Sequence, residues 1–148
     1  MNKKKLLLSV INIFVLCAVI FFVSMSFVYN ESLIGYVLII LGFLCLVSLK
    51  LFKMAIRPIG PDIIFGVIDN GILAAMALFG GEIAGVGGAI IGGVVGNAIT
   101  DGIAGLFEGY WAELFVSEQR TVLGSAVGKM AGCLFGAGVV LVIASFFK

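Results

Sequence analysis

EIAGVGGAIIGGVVGNAITDGIAGLFEGYWAELFV, residues 82–116, contains no proline and no cluster of turn-forming residues. At about 1.5 Å per residue, roughly 35 helical residues extend about 52 Å, far more than a hydrocarbon core about 30 Å thick. Either one helix projects well past a bilayer here, or the helix is interrupted near 97–101, where Asn97, Thr100 and Asp101 collect.

The flanking segments give the rest of the architecture. Asp62 is placed to cap a span over 62–80, with Gly80-Gly81 as its stop. Just upstream, Arg57-Pro58-Ile59-Gly60-Pro61 ends any helix, because each proline lacks an N–H and restricts the residue before it. Before that boundary lies an apolar run at 33–52, closed by Lys50, Lys53 and Arg57. A first run at 6–29 follows Met1-Asn2-Lys3-Lys4-Lys5 and is separated from the second by the polar turn Asn30-Glu31-Ser32. A signal peptide has an apolar region of about 7–15 residues ending in small residues. This run is longer and ends Phe27-Val28-Tyr29, so it reads as a retained helix. At the other end, Ser117-Glu118-Gln119-Arg120 is the last polar loop before a span over 121–147, closed by Lys148.

Of the 148 residues, 62% are hydrophobic and 11% charged, where an ordinary soluble domain carries about 25% charge. The expectation is an all-α integral membrane helical bundle, one membrane domain (1–148) of about five transmembrane helices with a Gly-rich C-terminal half. No separate soluble domain fits. A net charge of +1 without a long basic run removes the electrostatic footprint of a nucleic-acid binder. The absence of His excludes imidazole-based acid–base chemistry and imidazole metal sites. With five spans, Lys3, Lys4, Lys5, Lys50, Lys53, Arg57 and Arg120 share one side and Lys148 lies opposite. The positive-inside rule then puts the N-terminus in the cytoplasm and the C-terminus outside. The competing topology has four spans, with 81–96 as a re-entrant hairpin.

Most of the 21 glycines follow residue 60. Gly88, Gly92 and Gly96 are spaced by four, and Gly124, Gly128, Gly132 and Gly136 repeat that spacing in the last span. Each set falls on one helical face and admits a neighbouring backbone. The stripes pack the long helix against the last one within the chain, or additionally form a homo-oligomer interface. Gly124-Ser-Ala-Val-Gly-Lys129 imitates a phosphate loop, but Leu123 and Met130 stand where a Gly and a Ser or Thr belong. Asn30-Glu31-Ser32 matches a glycosylation sequon and reads as a surface turn. Cys17, Cys45 and Cys133 lie in separate apolar runs without paired spacing and read as small buried residues.

Ionisable groups inside a membrane are costly and are functional candidates by default. Asn97, Asp101 and Glu108 follow one helical stripe at i, i+4 and i+11, with Thr100 beside it. Asp69 and Asn70 lie about two turns into the preceding span, so the two polar sets are expected to face each other across a pathway. Lys129 is a candidate partner for Asp101. Carboxylates and amides without His or paired Cys suit a proton or a hard cation, with Asp69, Asp101 and Glu108 as the ligands. Met76 and Met130 offer softer donors.

The segments Gly66-Val-Ile-Asp69-Asn-Gly71, Glu108-Gly-Tyr110 and Ser117-Glu-Gln-Arg120 resemble the first two helices of the vacuolar iron transporter family, over residues 66–120. In that family an Asp-Gly lies early in the first helix, and a Gly-Glu-aromatic lies near the cytoplasmic end of a long second helix. Here Asn70 splits the first motif, Glu108-Gly109 inverts the second, and two helices precede the match. The resemblance implies that Asp69 and Glu108 contact a divalent metal in a dimer.

Two functions follow. One is a small oligomeric cation transporter or channel, with Asp69, Asn70, Asn97, Thr100, Asp101 and Glu108 along the path. The other is a non-catalytic membrane assembly or accessory protein whose Gly-rich helices bind a partner's. No hydrolytic signature surrounds the aspartates, so neither an enzyme nor a cofactor is expected. The expected partners are the lipid bilayer, a cation substrate and further copies of the chain.

Overall fold

The computed structural model describes the backbone of residues 3–114 and 121–147, and the side chains of 4, 6–103 and 121–147. The described elements are α1 (Lys3–Phe27), α2 (Ile34–Leu51), a 3-10 turn (Arg57–Ile59), α3 (Gly60–Leu114) and α4 (Val122–Ser145). Four helices are long and apolar enough to cross a membrane. Their outer surfaces agree with lipid as the solvent, since Phe14, Phe22, Phe43, Ile83 and Val86 all stand more than half exposed. A soluble monomer seldom carries so continuous an apolar surface.

The helix start and stop signals are local. Thr121, in extended conformation, accepts from the Gly124 N–H at 3.1 Å and so caps α4. Helix α2 ends in a left-handed C-terminal cap. The Met54 N–H donates to the Leu49 carbonyl at 3.0 Å and the Lys53 N–H to the Lys50 carbonyl at 2.9 Å. Lys53 itself sits at φ 55°, in a position glycine normally fills.

Residues 82–116 resolve differently from either expectation. The backbone is helical through 97–101, and the break lies at Ala84 and Gly85 instead. Gly85 takes φ 59°, where a side chain is strained, and nothing surrounds it. The Gly80-Gly81 pair, expected as a stop, remains helical. At Gly85 the chain reverses, so residues 60–83 and 86–114 form two antiparallel arms. Gly80 meets the Gly88 carbonyl, Gly92 meets the Met76 carbonyl, and Gly96 lies against Leu73. The sequence offered several glycines between 80 and 93; Gly80, Gly88 and Gly92 are held in main-chain contacts, and the left-handed turn falls at Gly85, which has no such neighbour.

Helix α4 is the hub. It runs parallel to the first arm of α3: Gly128 packs on Ile59 and Asp62, Gly132 on the Ile63 carbonyl and Gly66, and Gly136 on the Val67 carbonyl and Gly71. Gly124 packs on Ile59 and Thr121. Antiparallel to α4 lies α2, with Gly35 against Val142 and Gly42 against Phe135. The two glycine stripes therefore do not meet each other as expected. They touch different faces of the same arm, 60–83. The apolar core lies toward the end where α4 begins, among Leu41, Cys45, Leu49, Ile59, Val127 and Ala131. Helix α1 flanks α2 lightly through Leu16 and through Ser48, whose hydroxyl donates to the Asn12 side-chain oxygen at 2.9 Å.

Gly132 gives the direct test of this packing. A Cβ there collides with main-chain atoms of Ile63 and Gly66, which cannot rotate away. Gly132→Leu is expected to destabilise the protein by about 2–4 kcal/mol, read as a lowered Tm in detergent. Gly87→Leu, with nothing near its position, is expected to leave Tm unchanged.

Candidate functional site

Asp69 lies nine residues beyond Gly60, about 14 Å along the first arm of α3. Consecutive helical residues point about 100° apart, so Asp69 and Asn70 address different neighbours. The Asp69 carboxylate turns to the second arm, where the Thr100 hydroxyl donates to its Oδ1. The Asn70 amide donates to Asp69 Oδ2 at 3.2 Å and to Cys133 Sγ of α4 at 2.7 Å. Thr100 is 1% exposed and Asp69 9%. The Thr100 hydroxyl also lies 3.1 Å from the Gly96 carbonyl and 3.0 Å from that of Asn97, which fixes its rotamer. Four side chains thus bridge both arms of α3 and α4.

Thr100 reaches this position because Gly88, Gly92 and Gly96 bring the arms into backbone contact three, two and one turns before it. Cys133 follows Gly132, the residue in contact with Gly66. Close glycine packing therefore delivers each polar partner to Asp69 and Asn70. Cys133 is the member that sequence reasoning missed. Its only signal was its place one residue after a stripe glycine.

The pathway expected between two facing polar sets is not what forms. Among the described residues of the second arm, Thr100 is the one bonded to Asp69. Asn97 donates to Asp101 Oδ2 at 2.9 Å on a separate face, and Asp101 is exposed. That face also carries Ile90 and Val94, 62% and 65% exposed, so Asn97 and Asp101 point away from the first arm among exposed apolar side chains. Since Thr100 contacts Asp69, the neighbouring Asp101 lies at nearly the same depth. The side chain of Glu108, the third member of the stripe, lies outside the described residues.

Among the described residues no three Asp, Glu, Cys or His side chains gather as a metal site. Asp69 and Asp101, two of the three ligands expected from the sequence, belong to separate hydrogen-bonded groups. Lys129, expected beside Asp101, places its Nζ 4.9 Å from the centroid of the Phe65 ring on the first arm. Met76 lends its main chain to the contact with Gly92, and Met130 packs against the apolar core.

Comparison with protein families, curated proteins and solved structures finds no match to this chain. Its chemistry therefore rests on the geometry just described.

A bridge within the bundle is separable from a pathway residue by its response to a neutral isostere. Thr100→Val keeps the shape and removes the donor, leaving a buried Asp69 oxygen without its partner. It is expected to cost about 1–2 kcal/mol of stability, since interhelical hydrogen bonds in membranes are worth about 0.6–1.7 kcal/mol each. Thermal unfolding in detergent measures it, and an unchanged Tm would remove Asp69 and Thr100 from the packing of the arms.

Proposed function

We propose that the chain is a multi-pass membrane protein, crossing five times with its N-terminus in the cytoplasm, that assembles from several copies and passes a proton or a hard cation along the second arm of α3. The observation that carries the reading is Asp101, an exposed carboxylate with Asn97 bonded to it, at nearly the depth of the buried Asp69 and Thr100.

Charge in hydrocarbon is retained only where another group, water or an ion compensates it. Among the described residues of a single chain, Asp101 has Asn97 as its hydrogen-bond partner. Between two copies related by an axis along the membrane normal, Asp101 approaches its own counterpart. Two carboxylates at close range hold a proton or a cation between them, because like charges cannot both stay ionised and uncompensated. The glycine stripes support placing the contact here, since Gly88, Gly92, Gly96, Gly128, Gly132 and Gly136 are already engaged within the chain. The resemblance to the iron transporter family is consistent with a divalent cation as cargo, with Glu108 further along the same stripe.

The topology is supported by the reversal at Gly85 and by the direction of each helix. Lys50, Lys53 and Arg57 lie where α2 ends and α3 begins, and the bond between Asn12 and Ser48 sets the basic start of α1 at the same end. Helix α4 begins there and ends opposite. A single Cys placed beside Lys148, with Cys17, Cys45 and Cys133 replaced, is expected to react with an impermeant reagent applied to whole cells. Reaction only after lysis would leave an even number of crossings.

A second reading, an accessory protein without transport, is favoured by Asp69, Asn70, Thr100 and Cys133, which are bonded to one another inside the bundle. Flux through liposomes holding the purified protein separates the two. Asp101→Asn keeps the shape and removes the charge, and is expected to abolish flux while stability stays within about 0.5 kcal/mol of the parent. Flux equal to that of empty liposomes for the parent protein favours the accessory reading.

A further inference from the structure

At the basic end of the bundle, away from Asp69 and Asp101, lies a cleft of about 190 Å³ lined by Lys53, Pro58, Ile59, Asp62, Thr121 and Ser125. It holds the space of about six waters at roughly 30 Å³ each. Asp62 is 3% exposed. Its Oδ1 accepts from the Ser125 hydroxyl at 3.0 Å, while its Oδ2 is buried without a hydrogen-bond partner. A buried carboxylate oxygen left without a donor is costly.

A second cost lies across the cleft. Lys53 adopts φ 55° as the C-terminal cap of α2, although glycine fits that conformation without strain. Lys53 and Asp62 thus line the same cleft, a cationic residue beside a carboxylate in want of a donor. Lys53 and Asp62 are not in contact through Oδ2, which has no partner.

We propose that this cleft binds a phosphoethanolamine group, its primary ammonium donating to Asp62 Oδ2 and its phosphate facing Lys53. The two charges of the cleft select the ligand class. A metal ion finds one carboxylate here and a lysine beside it. A simple anion meets Asp62, and a simple amine meets Lys53. A zwitterion with an N–H donor satisfies both. A trimethylammonium group has no N–H and leaves Asp62 Oδ2 as it is, so phosphocholine is rejected. The same group occurs free in solution and as the head of phosphatidylethanolamine. The cleft lies where α2 ends and α3 and α4 begin, the ends of apolar helices, which is headgroup depth.

The test uses the full chain, purified, stripped of lipid by detergent exchange, and offered micelles doped with equal amounts of phosphatidylethanolamine and phosphatidylcholine, with retained lipid read by native mass spectrometry. The parent protein is expected to retain the ethanolamine lipid about tenfold over the choline lipid, the worth of one charge-assisted hydrogen bond. Asp62→Asn is expected to abolish the preference. Lys53→Gly relieves the strained cap, so it is expected to raise Tm while lowering ethanolamine-lipid retention about tenfold. This variant keeps the test decisive if Asp62→Asn fails to fold. In a second arm, free phosphoethanolamine is added to the stripped protein. Binding of the free compound without lipid retention assigns the soluble source, and lipid retention that the free compound does not displace assigns the headgroup. Equal retention of both lipids together with no binding of free phosphoethanolamine would overturn the proposal, as would a preference or free binding that survives in Lys53→Gly.

Discussion

Everything in this bundle depends on one close approach, the arm 60–83 of α3 lying in main-chain contact with α4 on one face and with its own continuation on another. Gly66 shows how close the first contact is: a Cβ there would fall 2.6 Å from the Lys129 carbonyl oxygen. The second is at least as tight, with Gly80 and Gly88 meeting carbonyl to α-carbon. In lipid no hydrophobic force drives such helices together, because the tails are as apolar as the side chains they would exclude. Dispersion between closely apposed backbones and a few hydrogen bonds must supply the cohesion. Asp69, Asn70, Thr100 and Cys133 can bond only because the glycines have brought their helices within reach.

Three aspartates on the same helix illustrate how surroundings decide a carboxylate's role. Asp69 has donors on both oxygens and is sealed between the arms. Asp62 has one oxygen satisfied by Ser125 and the other orphaned beside a cleft. Asp101 is bonded by Asn97 and stands exposed on the outer face of the second arm. The first is complete within the chain and contributes cohesion. The other two are incomplete among the described residues, and in the proposed readings a group from outside the chain completes them.

The sequence made the helical, membrane-embedded class legible, because apolar runs of spanning length and the basic clusters at their ends follow from composition alone. It also marked Asp69, Asn70, Thr100 and Asp101 as residues needing an explanation. Partnership was illegible. Asn97, Thr100 and Asp101 lie within five residues, and only the rotational setting of the second arm decides that Thr100 turns inward while Asp101 turns out. That setting is imposed by Gly88, Gly92 and Gly96, whose partners are the first arm and not α4. The turn was illegible for a related reason. Glycine serves both a left-handed turn and a close helix contact, and in 80–93 the two uses look identical until the neighbours are known.

The same division of labour bears on the proposed assembly of several copies. Gly88, Gly92, Gly96, Gly128, Gly132 and Gly136 are consumed inside the monomer, and the face of the second arm that carries Asp101 offers β-branched side chains such as Ile90 and Val94. Those keep backbones apart and gain little over contact with lipid, so apolar packing alone gives such a face weak and poorly defined association. Asn97 and Asp101 change that balance, because an exposed polar pair in hydrocarbon has far more to gain from a second polar pair than isoleucine has from a second isoleucine. The energetics of association thus concentrate in two residues a single turn apart. In the proposed assembly, such an interface would be set in register by its polar pair, and the proton or cation held there would lie in the contact between the copies.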